Sequence, residues 1–144
     1  MTAYGRLLEE TYTRFVDDHN REVERLRAVR EQKAMRTRQA YVELQQVLEE
    51  SEPFLSARGF FLLKEENLEV TTLPERPAAS IGDAASRQLV VVIVADGDTF
   101  IVTQPLLIGD EPHTTNNLKD VIVRVAQILA AYRCSPIQAA SMLE

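Results

Sequence analysis

The middle of the chain reads QLVVVIVADGDTFIVT over residues 88–103. Its unbroken apolar run predicts a strand over 88–95 that is buried on both faces and lies at the centre of a sheet. The Asp-Gly dipeptide that follows is a strong hairpin signal, so a partner strand is predicted over 99–108. This hairpin predicts an antiparallel sheet.

Two shorter apolar runs upstream, 60–64 and 68–73, have the spacing of a second hairpin. The segment 74–86 between the hairpins has two prolines and several small residues, which is typical of a loop. The sequence therefore predicts four strands.

Downstream, Thr114–Asn117 offers several N-caps for a helix that reaches about Arg133. Its apolar residues recur at helical spacing, so we expect this helix to cover one face of the sheet. Ser135 and Pro136 predict a last short helix through Leu143. The last helix contributes Ile137, Met142 and Leu143 as candidate partner-binding residues.

The first third of the chain has the composition of one long helix. From Ala3 to Glu50 there is no proline, Gly5 is the only glycine, and good helix formers predominate. At 1.5 Å per residue such a helix spans about 70 Å, more than the roughly 30 Å expected for a domain built from the remaining residues. Part of the helix is therefore predicted to protrude.

Apolar residues along this helix alternate at steps of three and four if Glu22 takes one position, the pattern of a coiled-coil seam. We predict a dimerisation seam formed by Leu8, Tyr12, Phe15, His19, Leu26 and Val29. We interpret His19 as a polar seam residue that sets the register of the two paired helices.

The seam loses its phase between about residues 30 and 40, and the apolar stripe resumes at Tyr41, Leu44 and Leu48. Such a slip unwinds a coiled coil or marks a change of packing partner. We favour the second interpretation. It predicts a protruding coiled-coil helix over 1–40 and a small α/β domain over 41–144.

A basic stretch over 21–38 makes nucleic-acid binding an alternative, although the whole chain carries a net charge of -6. These side chains surround the helix axis, and interleaved glutamates offer ion pairs along the helix. We therefore favour a solvated, salt-bridged helix, with Arg25, Arg30 and Lys33 as candidate contacts to an acidic protein partner.

No pattern indicates catalysis, a cofactor or a metal. His19 and His113 are far apart in sequence, and Asp96 and Asp98 flank a predicted turn. Cys134 is the only cysteine, which excludes an internal disulfide. No membrane span or targeting segment is predicted, so an intracellular location, cytoplasmic or nuclear, is expected. We predict a protein that is not an enzyme and has no cofactor.

The predicted order of a long helix, four strands and two helices resembles the RWD domain, and a coiled coil leading into it resembles kinetochore subunits. The Tyr-Pro-x-x-x-Pro signature of RWD domains is absent, since Pro105 follows Gln104 and the next proline is Pro112. The resemblance implies an α+β structural subunit that dimerises through its helix and recruits other proteins.

Three functions follow from these predictions. The first is an adaptor that forms a homo- or heterodimer through its N-terminal helix and recruits a protein through its α/β domain. The second is a small acidic chaperone or immunity-type protein that masks a client. The third is nucleic-acid binding through the basic stretch.

Overall fold

The computed structural model describes residues 2–134 of the 144-residue chain. It confirms an α+β fold with a long N-terminal helix and an antiparallel sheet. The elements are α1 (Ala3–Glu50), α2 (Glu52–Ala57), β1 (Phe60–Leu63), β2 (Ala78–Asp83), β3 (Leu89–Asp96), β4 (Thr99–Thr103), β5 (His113–Thr115) and α3 (Leu118–Cys134). The described residues divide into two units, 2–33 and 34–134. The predicted last helix lies outside the described residues.

The sheet has five antiparallel strands in the order β1-β2-β3-β4-β5, so the prediction of four strands was wrong. The central hairpin is confirmed, because Asp96 pairs with Thr99 across a two-residue turn. Gly97 has a φ of +64° at the first turn position, a conformation that glycine adopts without steric cost.

The strand predicted over 68–73 is a turn, and the predicted loop 74–86 contains β2. The Leu73 N–H donates to the Glu69 carbonyl at 2.8 Å, which closes the turn. Within β2, Ala79 and Ile81 are fully buried. Tertiary packing of alternate residues therefore outweighs the low β propensity of this small-residue segment.

Strand β4 ends at Thr103 instead of the predicted residue 108. Pro105 has no N–H to donate to a ladder, which accounts for the early end. His113, predicted to lie in a loop, belongs to β5 and pairs with Val102. The short edge strand β5 is the fifth strand that the sequence pattern did not reveal.

One face of the sheet carries the core. Strand residues on this face are buried together with apolar residues of all three helices in a single cluster. Strand β3 is central, as predicted, and its Val91 and Ile93 are fully buried on this face. On the opposite face Val92 and Val94 are only half-buried, so the prediction of burial on both faces was wrong.

The inner part of α1 belongs to this core. Tyr41 and Leu44 are fully buried and Leu48 nearly so, which confirms the predicted stripe. The Tyr41 hydroxyl donates to the Ala78 carbonyl at 3.1 Å and accepts from the Glu65 N–H at 2.7 Å. This side chain thereby fixes α1 to the start of β2 and to the segment after β1.

Helix α1 ends at Glu50, and Pro53 lies in the first turn of α2, where a proline is well tolerated. The Ser51 side chain does not cap α2, because its hydroxyl donates to the Val47 carbonyl at 2.9 Å. Gly59 follows α2 with a φ of +77°, as expected for a helix stop. Asn117 caps α3, since its side-chain oxygen accepts from the Lys119 N–H at 2.9 Å.

Candidate protein-interaction surface

The outer part of α1, residues 3–33, is helical for reasons local to its sequence. Thr2 caps it, since its hydroxyl oxygen accepts from the Gly5 N–H at 3.0 Å and its carbonyl accepts from the Arg6 N–H at 3.1 Å. The segment contains no proline and consists mostly of good helix formers. Its geometry can therefore be analysed as that of a regular helix.

No side chain between residues 3 and 33 is buried. Every residue of the predicted seam is exposed, and the apolar members are exposed to a degree unusual for their type. The exposed fractions are 73% for Leu8, 69% for Tyr12, 62% for Phe15, 46% for Leu26 and 49% for Val29. His19 is exposed as well. In this unit the chain itself does not cover the seam.

At 100° per residue these six side chains fall within an arc of about 100° on one side of the helix. We call this side the seam face and define it by Leu8, Tyr12, Phe15, His19, Leu26 and Val29. The opposite side carries only polar residues and Ala28. Such a separation is typical of a helix that packs against a second element.

Besides Tyr4 and Leu7 at the start of the helix, two exposed apolar residues beside the seam face were not part of the predicted seam. Val16 and Val23 are 39% and 42% exposed, and each follows a seam position by one residue. They lie along one edge of the seam face, at the positions that flank the core of a coiled coil. Counting flanking positions as well as seam positions would have revealed them.

Ion pairs at three-residue spacing lie along this helix. Arg25 donates two hydrogen bonds to the Glu22 carboxylate, at 2.6 and 3.1 Å, and Arg21 lies 3.8 Å from Asp18. The hydrogen bond from Arg25 lowers the pKa of Glu22, and the same bond raises the pKa of Arg25. The predicted Glu22 to Arg25 pair is thus present, and both groups stay charged near neutral pH.

The basic residues proposed to contact a partner are all exposed. Arg25 is held by Glu22, and Arg30 and Lys33 lie further along the helix. Arg38 belongs to the other unit, where it donates to the Leu68 carbonyl at 2.6 Å. The other predicted partner-binding residues, Ile137, Met142 and Leu143, lie outside the described residues.

A buried carboxylate in the α+β unit was not predicted. Asp83, only 6% exposed, accepts from the Tyr132 hydroxyl at 2.5 Å, from Arg133 at 3.2 Å and from the Ala85 N–H at 3.1 Å. Arg133 also donates to the Gly59 carbonyl at 3.1 Å. Its partners Tyr132 and Arg133 come from α3, about 50 positions later in the sequence, so no local sequence signal indicates this cluster.

Burial alone would raise the pKa of Asp83, but the hydrogen bonds from Tyr132, Ala85 and Arg133 outweigh it and lower the pKa. Burial, followed by the bond to Asp83, raises the pKa of Tyr132. These protonation states are fixed at neutral pH. We therefore assign the cluster to holding the end of α3 against β1 and β2.

Of the two aspartates beside the hairpin turn, Asp98 is exposed and Asp96 is held by an ion pair. Asp96 accepts from Arg76 at 2.8 Å beside the hairpin turn. Within residues 2–134, no group of three or more histidine, cysteine, aspartate or glutamate side chains could hold a metal ion.

In the same part of the chain, no helix is both long enough and apolar enough to cross a membrane.

Comparison with known proteins gives no relative: no protein-family model, no curated protein and no solved structure matches this chain.

Proposed function

We propose that this protein is a non-enzymatic adaptor. Its N-terminal helix associates with another helix through the seam face, and its α+β unit recruits a protein partner. The observation that carries the proposal is an ordered apolar stripe in residues 3–33 with no buried member, opposite a side without large apolar residues.

Burial of the seam face supplies the driving force. Full burial of a side chain such as Leu, Val or Phe is worth about 1.5–3 kcal/mol. Leu8, Phe15, Leu26 and Val29 are each about half to three-quarters exposed, so most of this gain is still available to a partner. The free energy gained by burying these side chains has to exceed the cost of the rotational and translational freedom that two helices lose on association.

The half-open face of the sheet is the proposed recruiting surface. By the strand register it carries the apolar residues Phe61, Leu63, Val92, Val94 and Ile101, with Ser80 and Thr103 between them. Leu63 is 52% exposed and the others are half-buried. An apolar sheet face of this kind is a common docking surface for proteins.

The resemblance to kinetochore subunits with an RWD-type domain stays a prediction. The order of a long helix, an antiparallel sheet and a helix supports it. The fifth strand is a departure from the four-stranded meander that the resemblance implies. Since a fold can host many functions, the adaptor proposal depends on the two surfaces and not on this resemblance.

Association is tested with a variant that introduces charge into the seam face. Phe15→Asp with Leu26→Asp should abolish association, because two carboxylates would have to be buried without partners. The matched control, Thr13→Asp with Asn20→Asp, adds the same charge to the polar side and should associate as the unchanged protein does. Sedimentation velocity measures both, and equal behaviour of the two variants would contradict the proposal.

Recruitment is tested with charge on the sheet face. Leu63→Glu should remove a protein that copurifies with the chain from its own cells, and Ile108→Glu should retain it. Ile108 is 98% exposed and lies in the loop after β4, so the control makes the same chemical change away from the sheet face. If both variants retain the same proteins, the sheet face is not the recruiting surface.

A further inference from the structure

The occupant of the seam face can be inferred from the charges around it. Residues 3–20 contain four acidic and two basic side chains, whereas residues 21–33 contain three acidic and five basic ones. The outer part of α1 is therefore negative in its first half and positive in its second half. A helix with this distribution is complementary to a copy of itself that runs in the opposite direction.

A parallel pair of copies would bring like charges together. Equivalent seam positions face each other in a parallel pair, so Glu22 would meet Glu22 and Lys33 would meet Lys33. At the flanks, Arg25 would lie beside Arg30 of the second copy. Each of these contacts is repulsive, so the sequence disfavours the parallel sense.

An antiparallel pair can be aligned so that His19 lies level with Glu22 of the second copy. The two polar seam positions then meet each other in two symmetric layers at the centre of the pair. In the same alignment Phe15 meets Leu26, and Tyr12 meets Val29. In these layers apolar residues thus meet apolar residues, and the polar ones can form hydrogen bonds. Leu8 meets Lys33 in the outermost layers, where the aliphatic stem of the lysine can cover it while the ammonium group stays in water.

The flanking positions agree with this alignment. In antiparallel pairs, residues on the same edge of the two seams face each other. Val16 then lies beside Val23 of the second copy, which covers the two exposed valines missed by sequence analysis. Asp18 lies beside Arg25, and Glu9 lies beside Arg30, so both charged pairs are attractive.

The alignment is also specific. A shift by one heptad toward shorter overlap places Asp18 of one copy beside Asp18 of the other and puts Tyr12 against Glu22. The shift thus removes the attractive contact between Asp18 and Arg25 and adds a repulsive contact between two copies of Asp18. It also places an apolar side chain against a charged one. The charges therefore select the register as well as the direction.

We propose that the seam face binds a second copy of this chain in the antiparallel sense, with His19 of each copy level with Glu22 of the other. This inference rests on the proposed association through the N-terminal helix and names its partner. The pair has a twofold axis between residues 20 and 21, and residues 8–33 of each chain take part.

Distances between spin labels test the direction. The background is the full-length chain with Cys134→Ser, which removes the only cysteine. A label introduced by Arg6→Cys lies outside the seam face, and in the antiparallel pair two such labels are separated by about 45 Å along the axis, from 1.5 Å per residue. In a parallel pair they would lie less than about 30 Å apart, since paired helix axes are about 10 Å apart.

The control label, introduced by Asn20→Cys, lies next to the proposed axis. It should give a short distance, below about 30 Å, for either direction. A long distance at position 6 with a short one at position 20 supports the proposal. A heptad shift would change the distance at position 6 by about 10 Å, which tests the register.

The contrary results separate the two proposals. Short distances at both positions would overturn the antiparallel sense and leave association through the seam face intact. The absence of dipolar coupling at both positions would show that no pair forms, which overturns this inference and the association step of the proposed function together.

Discussion

At the scale of single residues, Gly82 and Phe61 depend on each other. The two residues pair directly across β1 and β2, and the Phe61 ring lies over Gly82. A Cβ atom at position 82 would collide with this ring and would lie 2.9 Å from the Gln88 carbonyl oxygen. Glycine is therefore required here by the close approach of an aromatic side chain.

Gly82→Ala should lower the free energy of unfolding by about 1–3 kcal/mol, the usual cost of forcing extra volume into a packed site. Urea unfolding measures the change. If the ring is the main obstacle, the same substitution should cost less in a Phe61→Ala background, because the space over position 82 is then free. An equal cost in both backgrounds would contradict this account.

Asp83 is the second residue whose environment makes a specific prediction. Its pKa in the folded protein lies below the ordinary value of about 3.9, so the ionised carboxylate stabilises the fold at any pH above that value. The contribution is lost as the pH falls through the lowered pKa. Asp83→Asn should therefore cost about 1–3 kcal/mol near neutral pH, since Arg133 loses its charged partner.

The destabilisation by Asp83→Asn should shrink as the pH falls below about 3.9, because the carboxyl is then protonated in the unfolded chain before it is protonated in the folded protein. Urea unfolding between about pH 7 and about pH 3 measures this difference. The matched control is Asp98→Asn, at an exposed position in the hairpin turn. A destabilisation that stays constant over the whole range would contradict the role assigned to Asp83.

At the scale of elements, the inner part of α1 is positioned by the side chain of Tyr41, which hydrogen-bonds to backbone groups after β1 and at the start of β2. The segment 64–77 between β1 and β2 has no regular secondary structure, so its backbone groups need other partners. The Tyr41 hydroxyl provides one for the Glu65 N–H and another for the Ala78 carbonyl. This contact sets where β2 begins.

Tyr41→Phe should lower the free energy of unfolding by about 1–3 kcal/mol, because it leaves a partly buried N–H and a carbonyl without their partner. Chemical denaturation measures the loss. The matched control is Tyr4→Phe, which removes an exposed hydroxyl from the same helix outside the seam face and should leave stability unchanged. Equal effects of the two substitutions would contradict the role of Tyr41.

The sequence predicts those elements whose pattern arises from local periodicity. Helix α1, helix α3 and the β3–β4 hairpin have long apolar repeats or a specific turn dipeptide, and all three are confirmed. Strand β2 was missed because its small residues have low β propensity, and packing against β1 and β3 decides its conformation. Strand β5 has three residues, too few for a periodic signal.

In the candidate surface, too, residues that follow a local sequence pattern were predicted and the others were not. The seam face was predicted from the three-and-four spacing, and its apolar residues are exposed. Its binding of a second helix stays a prediction. Val16 and Val23 were missed because flanking positions do not follow the strict seam pattern. The Asp83 cluster joins residues about 50 positions apart in sequence, so no local pattern could predict it.

At the scale of the whole molecule, the two units differ in whether they bury their own apolar residues. Residues 34–134 bury a single core of their own, with α1, α2 and α3 contributing to it. Residues 3–33 form a regular helix without a buried side chain. Isolated helices gain little stability from propensity alone, and most of it comes from packing of an amphipathic face. A second helix would supply that packing.

The mass of the full-length chain in solution, measured by sedimentation equilibrium at micromolar concentrations, tests this requirement most directly. One chain has a mass of 16.3 kDa. The account predicts twice that mass, with dissociation on dilution. A mass that stays at the value for a single chain throughout the concentration range would contradict it.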